Sequence, residues 1–164
     1  MAIRTPERAT RPTRTLVFDV GKPWREQTPE TLQFSLPRGV TIAPGSWSAD
    51  GRKVALAAVG ADASGVYLYD FATQRGQQVS ELAEVESGPR WLSDSRRLVV
   101  GYQGGLYLIN PGAGKPHKIV SVFPDAINGY SLSRDDRLIV YGVRNRKADI
   151  WLASLEGRSA ESQQ

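Results

Sequence analysis

One short pattern returns three times along this chain and constrains its fold more than any other feature. Ser48-Ala49-Asp50-Gly51-Arg52-Lys53-Val54-Ala55-Leu56 recurs as Leu92-Ser93-Asp94-Ser95-Arg96-Arg97-Leu98-Val99-Val100, and again as Ser133-Arg134-Asp135-Asp136-Arg137-Leu138-Ile139-Val140-Tyr141. The marker aspartates stand 44 and then 41 residues apart. Each copy runs from a polar turn through one or two basic residues into an apolar run of strand character. A second landmark follows each first one: Val66-Tyr67-Leu68-Tyr69-Asp70, Leu106-Tyr107-Leu108-Ile109-Asn110, and Asp149-Ile150-Trp151-Leu152. These aromatic and β-branched stretches read as strands. The turns before them span 60–65, 103–105 and 144–148, where Gly and Asn supply the positive φ of tight hairpins. Gln77–Leu82 and His117–Val122 read as fourth strands of the first two copies.

A unit of about 42 residues with four short antiparallel strands is the signature of a β-propeller blade. The side-chain pattern agrees. In Val66–Tyr69 both alternating faces are apolar, whereas a sandwich strand with one wet face alternates apolar and polar. A blade wedged between two neighbours buries both. No window shows helical periodicity. Thr15–Val20 and Glu30–Leu36 read as the last two strands of an earlier unit, which brings the total to roughly 13 strands. The expected fold class is therefore all-β: a β-propeller fragment of about three to three and a half four-stranded antiparallel blades. Residues 15–37 would end an earlier blade and 44–82, 88–122 and 129–155 would follow, between unstructured tails at 1–14 and 158–164. Closed rings take about four to eight blades. The chain is expected to be the C-terminal part of a larger propeller or signalling protein, or else a small protein that closes a ring by associating with itself.

Composition narrows the chemistry. The 164 residues include no cysteine, which excludes disulfides, thiolate metal sites and a cysteine nucleophile. His117 is the sole histidine. No stretch reaches the roughly 20 apolar residues of a transmembrane helix, and no apolar signal-peptide core is present, so no membrane insertion is expected and the compartment stays open. The net charge of +4 does not predict nucleic-acid binding. Arg4, Arg8, Arg11 and Arg14 against Glu7 place most of it on the Pro/Thr-rich tail, not on a folded face that could track phosphates.

The S-x-D-G-[RK]-x-[VLI] turn-strand followed by V-Y-L-Y-D resembles the TolB-type, WD40-like β-propeller repeat. Ser46–Arg52, Trp91–Leu98, Ser131–Arg137 and Ala148–Leu152 carry the likeness over residues 15–155. It is similar to the C-terminal propeller regions of some bacterial eukaryotic-like serine/threonine kinases and to TolB-like proteins. The resemblance implies a bacterial scaffold that binds proteins, peptides or saccharide-like ligands at a rim or central channel. The attached catalytic part of a hydrolase or kinase would then lie elsewhere, since no H-R-D, D-F-G or Gly-rich kinase loop occurs here. Ser95 and Asp136 stand where the repeat expects glycine, so those turns are either built differently or cost about 1 kcal/mol each.

Few residues ask for chemistry. Asp50, Asp94 and Asp135, with Gly51, are expected as structural turn residues whose carboxylates accept nearby backbone N–H groups. Arg52, Arg96 and Arg137 follow in register; they would either pair with those aspartates or form a ring of guanidinium groups for an anionic ligand. Trp47, Trp91 and Trp151, with Tyr67, Tyr107 and Tyr130, are expected between blades, and Trp24 as an exposed contact. No G-x-S-x-G elbow accompanies His117, and Pro111–Pro116 lacks the glycine and hydroxyl of a phosphate loop. The expectation is a module without catalytic residues, metal or cofactor, whose partner is a protein, a peptide or a second copy of itself.

Overall fold

The computed structural model describes residues 15–34, 40–60, 64–82 and 85–145. The expected tails at 1–14 and 158–164, the strand at 149–152 with Trp151, and the turn residues 61–63 lie outside them. Among the described residues, twelve strands fall into four antiparallel sheets. The first sheet pairs β1 (Leu16–Val17) with β2 (Glu30–Thr31). The second holds β3 (Thr41–Trp47), β4 (Lys53–Val59), β5 (Gly65–Asp70) and β6 (Arg75–Ser80) in sequence order. The third repeats that meander with β7 (Val85–Trp91), β8 (Leu98–Tyr102), β9 (Gly105–Ile109) and β10 (His117–Ser121). The fourth pairs β11 (Ala126–Leu132) with β12 (Ile139–Arg144). Among the described residues the single helical turn is a 3₁₀ turn at Trp24–Glu26, and no helix is long and apolar enough to cross a membrane.

Among the described residues three apolar cores separate the four sheets, one per gap. Leu32 and Val17 of the first sheet region meet Ile42, Val54, Leu56 and Tyr69 of the second. Ala55, Val66 and Leu68 on the opposite face of the second meet Trp91, Leu98, Val100 and Ile109 of the third. Leu92, Val99 and Leu106 then meet Ile127 and Tyr130 of the fourth. Successive residues of β4 and β5 thus serve different cores, and Val54–Ala58 and Gly65–Tyr69 are buried throughout. Each fully buried Leu or Val contributes about 1.5–3 kcal/mol over its exposed state, so stability is spread along the stack instead of sitting in one centre.

The inner strands begin earlier than the sequence suggests. The expected units opened at residues 44, 88 and 129; the strands β3, β7 and β11 open at Thr41, Val85 and Ala126. The cause is local. Pro44-Gly45, Gly88-Pro89 and Asn128-Gly129 read as turn punctuation, but they lie inside strands, where the pairing register slips between Pro44 and Ser46, between Ser87 and Arg90, and between Ile127 and Tyr130. Pro and Gly are tolerated there because a bulged edge strand does not need every N–H in the ladder.

Candidate functional site

The three inner strands line up side by side and frame a small cleft. Its walls come from Pro44 and Gly45 of β3, from Glu86 to Arg90 of β7, and from Gly129 and Tyr130 of β11, around about 250 Å³. Among the described residues, each inner strand is paired along one edge only: β3 with β4, β7 with β8, β11 with β12. The other edges carry backbone donors and acceptors without a ladder partner. Two N–H groups there are taken by serines of the preceding inner strand: Trp91 N–H donates to Ser46 Oγ at 2.8 Å, and Gly129 N–H to Ser87 Oγ at 3.1 Å. Ser87 Oγ in turn donates to the Ile127 carbonyl.

The bulge glycines keep the cleft open. A Cβ on Gly129 would touch nothing within 4 Å, and one on Gly88 nothing nearer than 3.7 Å. Gly45 is different: a Cβ there would stand 2.4 Å from the Pro89 carbonyl oxygen, so this glycine permits the close approach of β3 to β7. Tyr130 closes the floor. It is buried, its hydroxyl donates to the Gly88 carbonyl at 3.0 Å and approaches the Val99 carbonyl, and burial raises its phenol pKa far above the usual range, so it stays a neutral donor. Exposed Arg90 donates through Nε to the Tyr130 carbonyl at 3.2 Å, with its guanidinium 6.0 Å from the ring centre. Half-buried Glu86 accepts from Gly104 N–H at 3.1 Å. The cleft therefore combines bare backbone, one acid, one base and an aromatic floor.

The marker residues sit elsewhere, in the turns joining inner to second strands. Asp50 Oδ1 accepts from Ser48 Oγ at 2.6 Å and from Arg52 N–H at 3.1 Å. Asp135 Oδ1 repeats this with Ser133 Oγ at 2.6 Å and Arg137 N–H at 3.3 Å. Asp94 Oδ1 accepts from the N–H groups of Arg96 and Arg97, and Oδ2 pairs with Arg97 Nε at 2.6 Å. All three carboxyls titrate below the ordinary value. For Asp50 and Asp135 the serine hydroxyl is the main cause and the backbone donor the next; for Asp94 burial pushes up, but the backbone and guanidinium donors outweigh it.

Arg52, Arg96 and Arg137 each lend a backbone N–H to the turn while their side chains lie exposed. The ion pair to Asp94 belongs to Arg97, one residue beyond the expected partner. Gly51, Ser95 and Asp136 adopt the same left-handed conformation, with φ of 71°, 54° and 57°. The turns are thus built alike, and the two non-glycine residues use their side chains between sheets. Ser95 Oγ accepts Asp50 N–H at 3.0 Å; Asp136 Oδ2 accepts Ser93 N–H at 2.7 Å and Ser93 Oγ at 2.6 Å. A hydrogen bond of about 1 kcal/mol offsets a left-handed strain of similar size.

Among the aromatics, Trp91, Tyr67 and Tyr130 are buried as expected, while Tyr107 is half-buried against Tyr102. Trp47 departs from the expectation: it is 48% exposed and stacks at 4.8 Å on Phe71 of its own sheet's rim. Its place in the strand matches that of buried Trp91, but no side chain of the first sheet covers it among the described contacts. Trp24 is 82% exposed on the 3₁₀ turn. His117 opens β10 on the surface, and Asn110–Pro116 form the hairpin from β9 to β10. Among the described residues no three His, Cys, Asp or Glu side chains gather as metal ligands.

No protein-family model and no curated protein matches the sequence. Among solved structures, a prolyl endopeptidase superposes on 72% of this chain with a TM-score of 0.56 and 18% identity. The fold is that of a partial β-propeller. TolB from Acinetobacter baumannii is also similar, over 61% of the chain at 17% identity and a TM-score of 0.49. The propeller arc described here spans 21% of the length of the prolyl endopeptidase and 26% of TolB.

Proposed function

We propose that this propeller arc is a non-catalytic binding module that holds an extended protein or peptide segment along its inner strands. The observation that carries this reading is the row of inner-strand edges that have no ladder partner among the described residues, cleared of side chains by Gly88 and Gly129. An extended segment satisfies such edges with its own main chain, and neighbouring side chains then set specificity. Glu86 and Arg90 flank the cleft with opposite charges and Tyr130 offers an aromatic floor.

A random peptide library displayed on phage and panned against the 164-residue chain tests the reading. Enriched peptides are expected to bind the parent chain and to lose about tenfold or more in affinity for Gly88→Leu, which fills the cleft from an exposed position, with an unchanged melting temperature. Failure to enrich any peptide, or equal binding by Gly88→Leu, overturns it.

A further inference from the structure

The cleft on the inner strands has a charge preference as well as a shape, and one side chain sets it. Arg90 is exposed near the end of β7 and reaches across to the next inner strand, β11. Its Nε donates to the Tyr130 carbonyl at 3.2 Å, and its guanidinium carbon lies 6.0 Å from the centre of the Tyr130 ring. Tyr130 is itself held in place, buried and donating its hydroxyl to the Gly88 carbonyl at 3.0 Å. An exposed arginine ordinarily loses several freely turning bonds when it grips a ligand. Here the stem and the guanidinium plane are set beforehand, so less freedom is lost on binding. With Nε engaged, the donors on Nη1 and Nη2 remain, and no carboxylate among the described residues forms an ion pair with them.

The surroundings admit an anion at that end. Gly88 and Gly129 put no side chain in the way. Glu86, the acid of the cleft, stands near the start of β7, at the opposite end of the strand from Arg90, and accepts Gly104 N–H at 3.1 Å. Among the described residues lining the cleft, Arg90 is the cation. We propose that the segment bound along the inner strands brings a carboxylate to Arg90, which holds it as a fork through Nη1 and Nη2. This rests on the peptide-binding reading above and names the chemistry that the cleft selects. Paired N–H···O bonds from a guanidinium to a carboxylate are charge-assisted and directional, so they fix the register of a chain that bare backbone edges alone would let slide. The carboxylate is that of an aspartate or glutamate side chain or that of a chain's own C-terminus, and both present the same pair of oxygens.

The test titrates the full 164-residue chain with short probes and follows the Arg90 Nε–H and the Gly88 and Gly129 amide signals by NMR. The probes are an acetylated alanine tetrapeptide with a free C-terminal carboxylate, the same peptide as its C-terminal amide, and that amide with one internal aspartate. At least one carboxylate-bearing probe is expected to bind about tenfold or more tightly than the neutral amide, and less tightly as salt rises. Which of the two does so separates the chain end from the side chain as the source. Arg90→Gln should reduce that probe to the level of the neutral amide, with a melting temperature close to the parent's. Arg90→Lys should restore the preference only in part, because an ammonium group cannot bond both oxygens as a planar fork. Equal binding of the neutral amide at the same signals overturns the carboxylate clamp and leaves the peptide cleft standing. A carboxylate preference that survives Arg90→Gln overturns the clamp as well. Silence of these signals toward every probe also overturns it, whereas the phage selection judges the cleft separately.

Discussion

Strands β8 and β12 hold the same place in successive repeats, yet they live in different surroundings. Leu98 to Gly101 are buried on both sides; Val140 to Arg144 are exposed along their length. Their sequences, LVVGY and IVYGVR, are nearly interchangeable. The difference teaches that strand identity in this fold is written locally, while burial is conferred by the next sheet. A blade is half a core until its neighbour arrives.

Substitutions can break or sharpen this contrast. The largest effect is expected at Trp91, whose ring lies in the gap between second and third sheets: Trp91→Ala should cost about 3–5 kcal/mol in denaturant unfolding. Its equivalent in the end sheet, Leu132, is half-buried, and Leu132→Ala should cost less than half as much. Equal losses would show that the end sheet is as tightly sealed as the interior. Val99→Ala comes next, at about 2 kcal/mol, against a change within about 0.5 kcal/mol for Val140→Ala.

Gly45→Ala tests how closely adjacent sheets approach. Because the added methyl would meet the Pro89 and Ala55 carbonyl oxygens, it should cost about 1–3 kcal/mol. Gly88→Ala in the same row of bulges has room and should be near neutral. At the turns, Ser95→Ala keeps the left-handed strain but loses the bond to Asp50 N–H, for a cost of about 1 kcal/mol. Ser95→Gly loses the same bond and relieves the strain, so it should fall closer to the parent. If the two variants melt alike, the strain argument is wrong.

The smallest effect is on pH dependence. Asp50, Asp94 and Asp135 have folded pKa values below the usual carboxylate value, so the unfolded chain binds more protons in acid. Their contribution is present above the unfolded pKa of about 3.9 and is lost as pH falls through the lower folded values. Melting temperature should therefore hold from neutral to about pH 5 and decline below it, and Asp94→Asn should flatten that decline. A profile unchanged by Asp94→Asn would remove the turn carboxylates as its source.

The repeat made most strands readable in advance. β4, β8 and β12 follow their marker aspartates, and β5 and β9 follow as aromatic runs, because hairpin turns and two-faced apolar strands leave local signatures. The inner strands were the hardest to place: Pro44, Gly45, Gly88 and Pro89 carry turn chemistry but serve as bulges, and only pairing with β4 and β8 reveals it. The cleft was missed for the same reason, since glycines and free backbone edges leave no motif. Arg97 in place of Arg96 as the partner of Asp94 depended on side-chain direction, which spacing leaves undetermined.

What the amino-acid order settled alone is the unit: four strands, a marker turn built around its aspartate, and apolar character on two faces, all consequences of contacts a few residues apart; that Ser95 and Asp136 share the left-handed conformation of Gly51 came from the structure. What needed the assembled molecule is everything that depends on residues some 40 positions away. Ser95 and Asp136 latch onto the turn before them, Gly45 and Ser46 meet β7, and Trp47 stays open while Trp91 is enclosed. Those outcomes rest on which sheet stands beside which, and a repeated sequence cannot distinguish its own copies until packing has ordered them.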